Sequence, residues 1–118
     1  EQTKILVQQI SRRNIWNDPL IIMGDFNAHP FSDARRALTS VIPSLRDPWK
    51  VLSLPEKGTY YGSGYLQKIL LGSYRIDWIL ADQKLEILHA EQIRKTEAGS
   101  EGLPIYPSDH GFVSAILR

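Results

Sequence analysis

Apolar positions along this chain change their spacing several times, and each change marks an element. Leu6, Val7 and Ile10 share one side of residues 3–16, and Gln8, Gln9, Arg12 and Arg13 cover the other. This spacing predicts an amphipathic helix. Asp18-Pro19 ends it, because the residue before proline is pushed out of the α region. Leu20-Ile21-Ile22-Met23 is a short unbroken apolar run bounded by Pro19 and Gly24. A run of that kind predicts a strand buried on both faces. Ser32 offers an N-cap with Asp33 in the first turn, and Ala34, Ala37, Leu38 and Val41 recur at helical spacing. A second helix is predicted over residues 33–40, closed by Pro43.

Periodicity then lapses. Residues 44–74 are punctuated by Pro48, Pro55, Gly58, Gly62, Gly64 and Gly72, and are expected to be irregular. Thr59-Tyr60-Tyr61 suits a short strand. Gly62 to Ser73, with Tyr65, Leu66, Ile69, Leu70 and Leu71, reads as a long loop of the kind that binds. Over residues 75–81 the pattern alternates. Ile76, Trp78 and Leu80 fall on one face of a strand, and Arg75, Asp77 and Ile79 on the other. Leu85 to Ile93 predicts another strand, residues 95–107 a polar loop, and Phe112 to Leu117 the last strand. Strands outnumber helices and the helices come early. The order fits an α/β chain of the α+β type, a mixed sheet with helices on one face.

Size limits the chain of 118 residues to one domain, and 42% hydrophobic content supports a packed core. Charge is nearly balanced, with 14 Lys and Arg against 13 Asp and Glu. That balance supplies no overall basic footprint for nucleic acid, and weakly disfavours a dedicated duplex-DNA binder. There are no cysteines, so disulfides and thiolate metal sites are excluded. No apolar run reaches the length of a transmembrane segment.

Three segments place ionisable residues at the edges of apolar runs. In Gly24-Asp25-Phe26-Asn27, an apolar strand delivers Asp25 and Asn27 at alternate positions, able to point the same way. A carboxylate beside an amide can hold water and an anionic oxygen, or bind a hard cation. The alternative is a strand-to-turn junction in which Asp and Asn only cap the backbone. In Arg75-Ile76-Asp77-Trp78, Asp77 lies inside a strand, which disfavours Asp. Either it orients a histidine and fixes its tautomer, or it forms a structural ion pair with Arg75. Ser108-Asp109-His110 sits between Pro107 and a new strand. It pairs a carboxylate with an imidazole that titrates near neutrality, and its plain alternative is a solvated loop. His29, before Pro30, is a weaker candidate for substrate contact, and His89 reads as structural. Tyr60, Tyr61 and Tyr65 are candidate stacking groups.

Each segment alone matches many proteins. In this order and in these strand contexts, Gly-Asp-Phe-Asn, Arg-Ile-Asp-Trp and Ser-Asp-His together resemble the endonuclease/exonuclease/phosphatase family. Asp47-Pro48-Trp49 and Gly58-Thr59-Tyr60 resemble its connecting regions more loosely. The resemblance implies part of a four-layer α/β sandwich with mixed, mostly antiparallel sheets. It also implies Mg²⁺-dependent hydrolysis of a phosphodiester or phosphomonoester, with Mn²⁺ as the alternative ion. On this resemblance Asp25, Asn27, Asp77 and His110 are catalytic. Asp25 would orient or deprotonate the attacking water, and Asn27 would bind the scissile phosphate. Asp77 would hold His110, which would stabilise charge on phosphorus or act as acid or base. Asp25, Asn27 and Asp109 would lie at the metal, and Asn27, His29 and Tyr60 at the substrate.

The resemblance also implies an omission. The family's main metal-binding Glu, and an Asn near it, come from strands that would precede everything in this chain, and Glu1 at the start of a helix cannot stand in. Residues 1–118 are therefore expected to be the C-terminal portion of a single domain, with the N-terminal half as its partner. The implied substrate is a phosphate ester: nucleic acid, lipid or a small phosphoester. The other reading is a non-catalytic half-domain, lacking the metal-binding Glu, that binds phosphate or a partner.

Overall fold

The computed structural model describes residues 2–13, 17–61, 74–93, 97–98, 104–105 and 108–118. The expected loop from Gly62 to Ser73 lies outside the described residues, as does Pro107. The early helices form where the spacing predicts them, α1 at Gln2–Arg12 and α2 at Asp33–Val41. Helix α1 ends before residue 16: the Arg13 N–H reaches back to the Ile10 carbonyl at 3.2 Å, tightening the final turn. Helix α2 carries the expected cap, with Ser32 Oγ accepting the Arg35 N–H at 3.3 Å.

Strands β1 (Ile21–Asp25), β2 (Leu45–Arg46) and β3 (Asp77–Asp82) form one sheet in the order β1-β3-β2. Both pairings are antiparallel, with Ile22 opposite Leu80 and Asp25 opposite Asp77. On one face Ile22, Leu45, Trp78 and Leu80 meet Ile10 of α1 and Leu38 of α2 to make the main core. A fully buried Trp78 is its largest side chain, and truncating such a residue costs roughly 3–5 kcal/mol. Short helix α3 (Pro48–Val51) packs between β3 and β4 (Ile87–Ile93). β5 (Glu97–Ala98) and β6 (Pro104–Ile105) form a small antiparallel pair, and β7 (Phe112–Leu117) pairs antiparallel with β4. The β4–β7 sheet contacts the far face of β3 through β7. The architecture is α+β: α1 and α2, the β1-β3-β2 sheet, then the β4–β7 sheet, with short α3 and the small β5–β6 pair in addition. No helix is long and apolar enough to cross a membrane among the described residues.

Several expectations change. The run Leu20 to Met23 is not buried on both faces: Ile22 is buried, while Ile21 is 46% and Met23 73% exposed. Among the described residues β1 has β3 as its one strand neighbour, and β7 packs against this sheet mainly at β3, where Ile79 and Ala81 are buried. The tract after residue 44 is less irregular than expected, because β2 and α3 form there. The α3 start is capped by Asp47, whose Oδ1 accepts the Trp49 N–H at 3.0 Å. Thr59 to Tyr61 contributes a single bridge, Tyr60 to His110, rather than a strand. Part of the expected polar loop at 95–107 is paired as β5 and β6.

Candidate active site

Asp25 ends β1 and Asp77 begins β3, and the register sets them directly opposite each other. Like charges directly opposite on paired strands are destabilising, and a group able to carry positive charge between them relieves the repulsion. His110 is placed to do so: its Nδ1 lies 2.9 Å from Asp77 Oδ2, and its Nε2 lies 4.0 Å from Asp25 Oδ2. Alternation explains the meeting. Asp25 and Asp77 share the face of Met23 and Ile79, and Met23, Ile79, Asp77 and His110 line one cleft with Phe112 and Val113 of β7. The site therefore opens at the mouth between the two sheets.

The other residues of these segments have local physical reasons. Gly24 has φ +147°, a backbone conformation that side-chain-bearing residues rarely adopt. Phe26 stacks on Trp78, with ring centres 4.4 Å apart and planes 9° from parallel. Asn27 does not continue the strand. It sits at φ +48°, a left-handed conformation that Asn tolerates, so the expected strand alternation fails there. Its side chain nevertheless meets Asp25, because the Asn27 N–H donates to Asp25 Oδ1 at 2.8 Å and Nδ2 donates to Oδ2 at 3.2 Å. Asp25 does cap this turn. Capping does not account for its placement against a second carboxylate.

Asp77 does not pair with Arg75. Arg75 is fully buried over the Trp49 ring, and its Nη2 donates to Asp47 at 2.8 Å and to Glu56 at 3.1 Å. That leaves Asp77 for His110. Burial pushes the His110 imidazole toward its neutral form. The Asp77 hydrogen bond and charge, with Asp25 and Asp109 adding theirs, outweigh it, so the pKa lies above the ordinary histidine value.

Sequence reasoning passed over the residue that ties these elements together. Thr59 is fully buried, and its Oγ1 accepts the N–H groups of Ile76 at 3.0 Å and Asp77 at 3.3 Å. Its carbonyl accepts the Gly111 N–H at 2.7 Å. One residue thus holds the start of β3 and the His110 segment together. Its signal was the Gly58-Thr59-Tyr60 match, which is too short to assign a role. Ser108 Oγ accepts the His110 N–H at 3.0 Å and closes the turn. Gly111 is packed so closely that an added Cβ would lie 2.7 Å from the Tyr61 hydroxyl oxygen.

The remaining candidates fall at different distances from this centre. Tyr60 places its ring edge-on to His110, with centres 5.4 Å apart. Asp109 is exposed, and its carbonyl accepts the Tyr61 N–H at 2.6 Å. His29 accepts the Phe31 N–H on Nδ1 at 3.1 Å and packs beside Phe31 and Tyr74. His89 is exposed on β4, 4.0 Å from Glu91. Among the described residues, donor atoms of Asp25, Asp77 and His110 converge within 4.8 Å of one another, and Asn27 lies against Asp25 through its side-chain amide. Two opposed carboxylates offer the hard oxygen donors that a divalent cation such as Mg²⁺ accepts. One Asp77 oxygen is already engaged by His110.

Solved structures similar to this chain include two from one organism. A mannosyl-6-phosphatase from Bacteroides thetaiotaomicron superposes with a TM-score of 0.70 at 20% identity, covering 97% of this chain and 43% of that one. An endonuclease/exonuclease/phosphatase family protein from the same organism gives 0.72 at 17% identity, covering 98% and 41%. The likeness is one of fold, and this chain spans less than half the length of either structure. No curated protein sequence matches it significantly. The model of the Endonuclease/Exonuclease/phosphatase family matches residues 7–110, a span holding the Gly24–Asn27, Arg75–Trp78 and Ser108–His110 segments, and the chain belongs to that family.

Proposed function

We propose that this chain carries one side of a phosphoester-hydrolysing site. The observation that supports this most is the opposed pair Asp25 and Asp77 with His110 seated between them. A phosphate ester is anionic and repels an incoming nucleophile, so hydrolysis needs charge neutralisation, a base and a group that stabilises the developing charge. Asp25, exposed at the strand end, holds and deprotonates the attacking water. Asn27 donates its amide to a phosphate oxygen. Asp77 fixes the His110 ring through Nδ1, leaving Nε2 to donate toward the oxygens on phosphorus. Burial opposes the charged ring, but the Asp77 hydrogen bond and charge, with Asp25 and Asp109, raise the His110 pKa and so favour the protonated form that can donate. Asp25 and Asp77, with Asp109 nearby, would hold Mg²⁺ or Mn²⁺, which when bound neutralises phosphate charge. His29 and Tyr60 contact the rest of the substrate.

Residues 1–118 are, on this reading, the C-terminal portion of one domain. The exposed Ile21 and Met23 on β1, an edge strand among the described residues, support the need for further cover. The isolated stretch is expected to be inactive. In the protein that contains this chain with the remainder of the domain, His110→Ala and Asp25→Ala should each lower kcat by about 10²–10⁴-fold. Asp77→Asn should cost less, since it only loosens orientation. Chelation should abolish turnover and Mg²⁺ should restore it. Losses below about tenfold for both alanine variants at saturating Mg²⁺ would remove these assignments. A panel of nucleic acid, phospholipid and sugar-phosphate substrates reads out the substrate class. Phosphate binding without turnover on any of them would favour a non-catalytic binding half-domain.

A further inference from the structure

A second cleft, about 480 Å³ in volume, lies between the start of α2 and the β2–α3 segment. Arg35, Arg36, Arg46, Lys50, Asp47 and Phe31 line it, and none of Asp25, Asp77 and His110 does. Its charge is unbalanced. Asp47 is the only carboxylate among the lining residues, and Arg75 holds it at 2.8 Å. Arg35 stands 3.5 Å from the same carboxylate, longer than a strong charge-assisted bond. Arg35 is only 6% exposed, and its buried Nη1 has no hydrogen-bond partner. Arg46 gives its Nη2 to the neutral carbonyls of Gln83 and Leu85, and its buried Nε has no partner. Lys50 rests over the Phe31 ring, with no carboxylate within 4.0 Å among the described residues. Arg36 alone has its own partner, Asp33.

Buried guanidinium N–H groups without acceptors are costly. Three cations line a cleft whose single lining carboxylate is committed. Glu56 and Asp82 act on Arg35 and Arg46 from outside it, and Arg35 lies over the Trp78 ring, yet the unpartnered N–H groups of Arg35 and Arg46 leave room for an oxyanion. Burial, with the neighbouring Arg75 charge, outweighs Asp47 and Glu56 and pulls the Arg35 pKa below its ordinary value. Guanidinium groups match the geometry of phosphate oxygens, and an ammonium adds a point charge. We propose that this cleft is a phosphate-group site, held by Arg35, Arg46 and Lys50 and separate from the Asp25–His110 centre.

The test is an amide and arginine Nε–H chemical-shift titration of the ¹⁵N-labelled protein with inorganic phosphate. A parallel arm uses tetrathymidylate, which separates a free phosphate from one borne on a phosphodiester chain. Saturable shifts are expected at Phe31, Arg35, Arg46 and Lys50. Lys50→Glu, an exposed position, should weaken binding at least about tenfold, because it reverses a charge that assists the contact. Arg35→Gln, checked for folding by its thermal melt, should do the same. Saturation at the cleft by phosphate alone assigns it to the free anion, and saturation by the oligonucleotide alone assigns it to a chain phosphate. The proposal is overturned if neither probe saturates, if chloride at matched ionic strength gives the same shifts, if the shifts centre on His110, or if Lys50→Glu binds unchanged.

Discussion

Removing the Thr59 hydroxyl isolates the contact that joins the two halves of the candidate site. Thr59→Val keeps the side chain's shape and deletes the acceptor for two backbone N–H groups. Ile76 is fully buried, so its N–H loses its acceptor with no water to replace it, at a cost of roughly 1–3 kcal/mol. The Asp77 N–H is half-buried and its bond is longer, so its share is roughly 0.5–1.5 kcal/mol. Together the loss is about 1.5–4.5 kcal/mol, a large part of a typical stability of roughly 5–15 kcal/mol. At roughly 4 °C per kcal/mol for a domain of this size, Tm should fall by about 6–18 °C. Thr59→Ser keeps the acceptor and loses one methyl group, so it should cost only about 1 kcal/mol. Urea unfolding followed by tryptophan fluorescence suits the measurement, since Trp49 and Trp78 are both buried. A Thr59→Val variant within about 0.5 kcal/mol of wild type would refute the clamp, as would a Thr59→Ser variant equally destabilised.

The His110–Asp77 contact makes stability depend on pH. His110 has a folded pKa above 6.5, so the stabilisation is fully present below that unfolded value and is lost as pH rises through the folded one. Wild type should therefore exceed Asp77→Asn in stability by more at about pH 5.5 than at about pH 9, and an equal gap at both would contradict the contact. In the same variant the His110 ring, followed by NMR, should titrate at lower pH than in wild type, and a higher value would reverse the assigned sign. Gly111→Ala drives a Cβ to within 2.7 Å of the Tyr61 hydroxyl oxygen, which should destabilise by about 1–3 kcal/mol. A thermal melt identical to wild type would show that Tyr61 yields freely.

Much of the fold was legible because it is local. Helix α2 followed from apolar spacing plus a capping serine, and β7 from a run that begins after a glycine. The α1 end was less legible, since a terminal turn is settled by individual backbone bonds rather than by periodicity. Helix α3 has four residues and β2 has two, too few for any period to register. The covering of β1 was not legible for a different reason: an unbroken apolar run shows what a strand could bury, not what lies against it, and here Ile22 is covered while Ile21 and Met23 are exposed.

In the sequence Asp25, Asp77 and His110 stand out as ionisable residues beside apolar positions, and the identities of Gly24, Phe26 and Asn27 follow from demands made within a few residues or by one ring. Their meeting was decided by tertiary structure. Asp25 faces Asp77 because of a strand register, and His110 arrives 33 positions after Asp77 on a segment pinned by Thr59. The choice of Asp47 over Asp77 as the partner of Arg75 was equally remote, since those residues are 28 positions apart. Sequence determines which side chains are available and which local conformations they favour. Pairing across tens of residues depends on closing loops and packing both faces of a sheet at once, so only the folded chain sets which carboxylate meets which cation.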